Sequence, residues 1–548
     1  MTRLTYRAPG VYVEEIPSAR QPIAGVGTNT AAFIGIVPDT IYYAVPNPSY
    51  DPVAARAGLG GPAGAPPGPS TGGETPEAAR DRVRADRDRL ADELKTLKAT
   101  EGTPRSQIRD KQIELDNKQA ELDRAEQLVS QAHAPVTAET EDEAAYTDGE
   151  PDTDWLEPPS GQRAPAEHPY YLKAFNVGVA AWDTKFCTNF TEYTNRFGPF
   201  SAFRSGPESH RPMYPGHHAL THAVYGFFKN GGTRCFVARV NSAAELGKVL
   251  TNLESIDEVA LIAAPGLPKS TGVWNALMDY AEDENHENVF AILDSPKVVG
   301  DPNDFDIQKI TYSGSAEEPI PHPSKNAAFY FPQIEVLDPS KQIQDIDPAR
   351  GVEAKYRGRT FVAPSGHMAG IYARTDEERG VHKAPANCVV RGAMNVKYYV
   401  SKPNQEVLNP QGVNVIRMIN GAVTVWGART IGGDRNGEWK YINVRRFFLF
   451  LQESIDEGTQ WVVFEPNDYA LWGKIRLNVT AFLTNVWRSG ALFGLTPEEA
   501  FYVKCDAELN PPEVRDLGQV ITEIGVAIVR PAEFVIFRIS QSTGQEKT

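Results

Sequence analysis

Cysteine is nearly missing from this chain of 548 residues: Cys187, Cys235, Cys388 and Cys505 are its four, set 48, 153 and 117 residues apart. Such spacing fits neither a cysteine zinc site nor a disulfide framework, so the four read as reduced core thiols. Positive charge is in deficit, with 55 Lys and Arg against 71 Asp and Glu for a net charge of −16. That is the wrong sign for coating nucleic acid, and no nucleic-acid partner is expected. No apolar run nears the roughly 20 residues that cross a bilayer, so direct membrane insertion is not expected. The polar and turn residues after Met1 contain no apolar secretory segment, which places synthesis and assembly in the cytoplasm as an expectation. A G-x-x-x-x-G-K-[ST] loop is missing too, so no means of using nucleotide energy is evident. Any mechanical work must draw on stored conformational energy.

What is present is enough apolar material for sizeable cores, 41% hydrophobic and 10% aromatic, on a length that suits about three or four folded units. Residues 10–16 read as a short strand bracketed by Pro9 and Pro17. A linker over 21–29 leads to an apolar strand at 30–37. No aromatic residue occurs between Tyr50 and Tyr146, and 58–73 is Gly/Pro/Ala low complexity. This marks 41–166 as a variable insertion. Inside it, Thr75-Pro76 and Thr103-Pro104 each open a helix, with Thr as N-cap and Pro in the first helical position. Val83, Leu90 and Leu97 repeat every seven, as do Ile108, Leu115, Leu122 and Val129. An antiparallel coiled-coil hairpin is therefore expected over about 76–131, its 13 acidic and 12 basic residues forming a solvated surface.

From 167 to 340, strand-like runs (175–181, 235–240, 259–264, 289–293, 327–331) alternate with helical ones (217–230, 243–255, 271–283). This argues for an α/β layer with a largely parallel sheet, to which 30–37 could belong. Past 340 the pattern changes: 441–464 and 469–487 are helical, while 501–505 and 520–529 are strands. The expected fold class is α/β plus α+β, multidomain. An N-terminal strand arm (1–20) precedes a central α/β domain (21–40 plus 167–340), followed by a C-terminal α+β domain (341–530) and a C-terminal strand arm (531–548).

Motifs for chemistry are weak. Gly68-Pro69-Ser70-Thr71-Gly72 has the form of a hydrolase nucleophile elbow, and Gly58-x-Gly60-x-x-Ala63 that of a dinucleotide loop. Both lie in low-complexity sequence without the strand such motifs require. His218 and His222 stand at i, i+4 on a helix and could share a metal, but no third ligand is evident, so they read as packing histidines. Ser365 and His367 are too close in sequence to face each other on a helix, and Ser365 reads as an N-cap. No catalytic, cofactor-binding or metal-binding residue is assigned.

The two ends are more informative. Arg530-Pro531 breaks the strand at 520–529, and 533–540 resumes with Phe534 and Ile536 on one face and Val535, Phe537 and Ile539 on the other. A strand apolar on both faces is buried between layers, in its own sheet or in a neighbour's. The N-terminal arm, with Val11, Tyr12, Val13 and Ile16, poses the same question. Two such arms suggest exchange between subunits by β-augmentation. The N-terminal arm hangs on a tether, Pro17 with Gly25 and Gly27, that reads as slack. The C-terminal one is stiffened by Pro531.

Taken together, APGVYVEEIPSARQPIAGVGTNTAAFIG (8–35), LTHAVYGFFKNGGTRCFVARV (220–240), IDEVALIAAPG (256–266), FAILD (290–294), PSGHMAGIYARTDEERGVHKAPAN (364–387) and NPPEVRDLGQVITEIGVAIVRPAEFVIFRISQ (510–541) closely resemble tail sheath proteins of contractile phage tails and related injection systems. The resemblance spans nearly the whole chain outside about 41–166. It implies a structural subunit that stacks in hexameric rings around an inner tube protein, meets baseplate and terminal cap proteins, and contracts to drive the tube through an envelope. It also implies arms swapped into neighbouring C-terminal domains, with a receiving strand carrying Val520, Ile521, Ile524, Val526 and Ile528. The competing class is an enzyme or ligand-binding module on the central α/β domain.

Overall fold

In a computed structural model of the chain, the described residues are 23–52, scattered positions from 82 to 138, 151–283 apart from 152, 160, 161 and 206–208, 288–299 apart from 297, and 319–534. They fall into two compact units, one over 28–446 and one over 1–27 with 447–548.

The larger unit is built on a nine-stranded sheet in the order Cys388–Val389, Ala422–Val425, Val413–Ile419, Ala327–Phe331, Phe290–Asp294, Leu261–Gly266, Ala31–Ile36, Cys235–Val240, Thr184–Cys187. The six strands from Val413–Ile419 to Cys235–Val240 run parallel, and antiparallel strands close both margins. Parallel strands covered on both faces bury every side chain, which is why they appear in the sequence as unbroken apolar runs. Ala31–Ile36, Cys235–Val240, Leu261–Gly266, Phe290–Asp294 and Ala327–Phe331 are buried at every position. The run at 30–37 does belong to this sheet, between Cys235–Val240 and Leu261–Gly266.

Helices Pro215–Asn230, Leu246–Leu253 and Thr271–Glu282 cover the sheet, the last capped by Ser270. Helix Ser365–Arg379 lies on Pro215–Asn230 at very short range. A Cβ on Gly366 would stand 2.3 Å from the Ala223 backbone, and one on Gly370 2.4 Å from the Phe227 carbonyl, so glycine is what lets the two helices meet. The four cysteines are free thiols, three of them buried.

Three boundaries differ from the sequence expectation. The strand expected at 175–181 is Tyr170–Asn176, and it stays out of the main sheet, pairing antiparallel with Thr40–Pro46. The insertion expected at 41–166 therefore begins only past Pro46 and returns before Tyr170, at the open end of this ribbon. There Asn47 N donates to Pro169 O at 2.9 Å, and Asn47 Nδ2 donates to the carbonyls of Pro165 and His168. The hairpin expected at 76–131 lies mostly outside the described residues. Within it, 86–91 is helical, Leu90 and Leu94 are buried, and Lys111 Nζ is 2.7 Å from Glu93 Oε2.

The division expected at 340/341 falls instead at 446/447. Val413–Ile419 rejoins the main sheet in parallel with Ala327–Phe331, Phe329 opposite Val413. The intervening strands Ile334–Leu337, Arg359–Val362 and Ala393–Val396 form a separate antiparallel sheet. That excursion interrupts the strand–helix alternation and hides the return.

The smaller unit takes helix Ile442–Thr459 from Phe447 onward, and helix Tyr469–Arg488, which Asp468 caps through Leu471 N. The rings of Phe450 and Phe482 meet between them, 6.2 Å apart.

Candidate assembly surface

Strands Phe501–Lys504 and Glu523–Val526 pair antiparallel in the smaller unit, Phe501 opposite Val526 and Lys504 opposite Glu523. The chain then pairs with the segment after helix Tyr469–Arg488, where Phe493 N donates to Ala527 O at 2.8 Å and Leu492 bridges Ile528. Two strands make a marginal sheet, and among the described residues no third strand joins this ribbon. Glu523–Val526 contains no buried residue. Near the ribbon in sequence stand Phe493, Leu495, Leu517 and Phe534, exposed at 75%, 90%, 75% and 71%. Open strand edges and large exposed apolar side chains in one small unit are the features of a surface that another chain completes.

The strand expected over 520–529 to receive the arms is shorter, Glu523–Val526. Ile524 and Val526 lie within it, Ile528 sits in the bridge to Leu492, and Val520 and Ile521 precede it. Asn510, fully buried, is the reason: Ile521 N donates to Asn510 Oδ1 at 2.6 Å, and Asn510 Nδ2 donates to Ile521 O at 2.9 Å. With both backbone groups held by one amide, Ile521 is taken out of the ladder. Of the arm residues, Phe534 is described and is exposed. Val11, Tyr12, Val13, Ile16, Val535, Ile536, Phe537 and Ile539 lie outside the described residues, as does Pro17. Pro531 is half-buried and in no regular element.

The tether is not slack over its whole length. Residues 23–26 run along one face of helix Ile442–Thr459, where Phe450, Ser454 and Gly458 recur every four residues. Ile23 is buried, and a Cβ on Gly458 would stand 2.6 Å from its Cγ1. Val26 N donates to Ser454 Oγ at 3.1 Å, and a Cβ on Gly25 would stand 2.9 Å from the Phe450 ring. The signal for this seat was in the helix, small residues at i and i+4, rather than in the linker. Gly27 ends the first segment of the smaller unit, and within the larger unit Thr28 is fixed as well. Its Oγ1 donates to Asp376 Oδ2 at 2.7 Å, and its carbonyl accepts from Arg446, itself in a buried ion pair with Asp376.

Of the weak motifs, the glycine-rich runs at 58–72 lie outside the described residues. Ser365 does not cap its own helix. It opens the first turn, and Asp294 receives both its amide (2.8 Å) and its hydroxyl (2.6 Å). That bond commits the hydroxyl to Asp294, and burial pushes the His367 ring down to about 3. His218 and His222 face one carboxylate, Asp338: Nε2 of His222 is 2.8 Å from Oδ2, and Nε2 of His218 is 3.3 Å from the same oxygen. Burial opposes ionisation of Asp338, but the two imidazoles outweigh it and hold the carboxyl below its usual range. No spacing rule links a helix position to an acid more than a hundred residues downstream.

Residues 247–431 match the family described as the phage tail sheath protein central domain, and 434–542 match the phage tail sheath C-terminal domain. The tail sheath protein of Vibrio phage KVP40 is 26% identical over 188 residues, covering 33% of this chain and 26% of that protein. The match thus spans about a quarter of that relative's length. A chain in the 6-fold symmetrised baseplate of the anti-feeding prophage is 29% identical, with a TM-score of 0.52 over 66% of this chain and 89% of that one. The anti-feeding prophage helical sheath in its contracted state, 21% identical, shares the fold at a TM-score of 0.54 over 98% and 100% of the two chains.

Proposed function

Because the chain belongs to the phage tail sheath family, we propose that it is a structural, self-assembling subunit of a contractile sheath. In this reading it stacks in six-fold rings around an inner tube, meets a baseplate at one end and a cap at the other, and drives the tube through a target envelope when it contracts. The particle is a phage tail or a related injection device assembled in the cytoplasm. The observation that carries the reading is the two-stranded ribbon: its edges lack a third strand among the described residues, and exposed apolar side chains accompany it. Strand arms at both ends of the sequence, 10–16 and 533–540, have the apolar character to complete it by β-augmentation. Head-to-tail exchange of this kind is heterologous and propagates as a helix of subunits.

Trp155 and Leu156 pack beside strand Tyr170–Asn176 and Thr137–Ala138 pairs with Val298–Val299, so we assign an outward-facing, dispensable role only to the helical part of the insertion, about 76–131. Electron microscopy of the purified full-length chain tests the reading. Striated tubes of uniform ring spacing are expected, and discrete particles of fixed size would overturn it in favour of a ligand-binding or catalytic module.

A further inference from the structure

Three potential ligand atoms converge inside the larger unit, remote in sequence from the ribbon. His218 and His222 project from adjacent turns of helix Pro215–Asn230, their ring centroids 4.6 Å apart. Asp338 ends the excursion's first strand and directs one carboxylate oxygen at both rings. One potential ligand atom from each of the three residues lies within 4.8 Å of the other two. The other oxygen, Oδ1, is already used, capping helix Pro339–Gln344 through Lys341 N.

All three residues are buried, and Nε2 of His218 makes no hydrogen bond although it lies 3.3 Å from the carboxylate. Lys341 places its ammonium on Asp345 and Arg350 places its guanidinium there too, so the neighbouring basic side chains are spent on a different acid. Phe200 packs on His222 at 4.8 Å and Phe203 edge-on against His218 at 5.3 Å, walling the cluster with apolar rings.

We propose that His218, His222 and Asp338 supply three ligands of a binding site for a divalent transition metal of the zinc class, with a water taking the fourth tetrahedral position. Tetrahedral zinc with bonds of about 2.0–2.1 Å sets its ligand atoms about 3.3 Å apart, and the His218–Asp338 separation of 3.3 Å already has that value. The His222–Asp338 pair, at 2.8 Å, needs to open by about half an ångström. An ion there would satisfy the idle Nε2 of His218 and bring positive charge to a buried carboxylate. Two nitrogens and one oxygen favour zinc over magnesium or calcium, which prefer all-oxygen shells. The aromatic wall and the burial suit a stapling role, tying helix Pro215–Asn230 to the start of helix Pro339–Gln344.

The test is metal content and a spectroscopic probe on the full chain, produced in defined medium supplemented with Zn(II) or with Co(II). Close to one equivalent of zinc per chain is expected, and the cobalt form should show the visible d–d absorption of a tetrahedral site. Asp338→Asn, which keeps an acceptor for the Lys341 amide, and His218→Gln should fold with native circular dichroism and lose the metal at least ten-fold. A folded wild-type chain with less than a tenth of an equivalent would overturn the site and leave a hydrogen-bonded carboxylate between two imidazoles. Undiminished metal in both variants would overturn it equally, since the ion would then lie elsewhere.

Discussion

In the main sheet, strand Ala31–Ile36 has a neighbour on each side and every side chain buried, whereas Glu523–Val526 in the ribbon has one neighbour and nothing buried. Both segments are short and apolar enough to be strands, so local preference does not separate them. Completion does. The sheet closes within one chain because helices cover its faces and antiparallel strands close its margins. Among the described residues the ribbon has two strands, and large side chains such as Phe493 and Leu495 are left exposed. If arms of neighbouring chains complete the ribbon, as proposed, its stability becomes a property of the assembly, while that of the sheet belongs to the chain.

The sharpest way to break that comparison is to remove the proposed completing strands. Deleting 1–18 or 533–548 is expected to leave a soluble chain with native circular dichroism and to abolish tubes in electron micrographs. Wild-type tubes from either truncation would mean that the arms are not what completes the ribbon. Ile536→Asp is expected to do the same within the full-length chain, since an unpaired carboxylate between apolar layers costs several kcal/mol.

Single side chains should separate the two regions by where the loss appears. Phe329, fully buried in the sheet with Trp274 edge-on at 5.7 Å, should cost about 3–5 kcal/mol of chain stability when replaced by Ala. Phe493→Ala removes a side chain of similar size from an exposed position, so the isolated chain should change by less than about 0.5 kcal/mol while tube formation falls. Thermal unfolding of unassembled protein and the critical concentration for tubes give the two readings. An equal loss of stability in both variants would erase the distinction.

Acid offers a further separation, because all ten histidines lie within 28–446 and none in the smaller unit. His367 is fully buried and its ring is pushed down to about 3 by burial. Below the ordinary imidazole value of about 6.5 the unfolded chain takes up a proton that the folded chain refuses. Stability contributed by this residue is therefore full at neutral pH and is lost as pH falls from about 6.5 towards about 3, by about 1.4 kcal/mol per pH unit. Melting temperatures against pH should show the larger unit losing stability first, with a shallower acid limb in His367→Leu. An unchanged limb in that variant would mean that the ring becomes charged within the fold.

How far the sequence alone reached follows the same division. The parallel strands were legible because burial on both faces removes polar residues, and even Ala31–Ile36, cut off from its partners by the long insertion, stood out. The return of Val413–Ile419 to the sheet was not legible. Parallel pairing depends on a partner more than eighty residues earlier, and the antiparallel excursion between them breaks the alternation. In the ribbon, the apolar character of 520–529 was readable, but its length was not. The strand is shortened by Asn510, whose buried amide binds Ile521, and an asparagine in a loop gives no sequence sign of that role. Likewise the third group beside His218 and His222 is contributed by a remote turn.

The smallest expected effect on stability concerns the tether and bears most directly on how neighbours could move. With residues 23–26 seated on helix Ile442–Thr459, the tether expected over 17–29 is held from Ile23 onward, and the length left to reach the arm falls from thirteen residues to six. At roughly 3.3 Å per residue the reach falls from about 40 Å to about 20 Å. Gly458→Ala should unseat it: the added Cβ would meet Ile23 at 2.6 Å, while alanine in a helix interior gains about 0.5–1 kcal/mol over glycine. Losing the burial of Ile23 opposes that gain, so the melting temperature should hardly move. The change should appear elsewhere, in faster hydrogen exchange of the Val26 amide, now bonded to Ser454 Oγ. In tubes, the ring-to-ring rise should alter because the arm acquires slack. Inserting a few Gly/Ser residues between Arg20 and Ile23 should reproduce the altered rise without affecting Val26. If Gly458→Ala exposes Val26 and both variants keep the wild-type rise, the tether length does not set subunit spacing, and the seat serves only to anchor the chain to its helix.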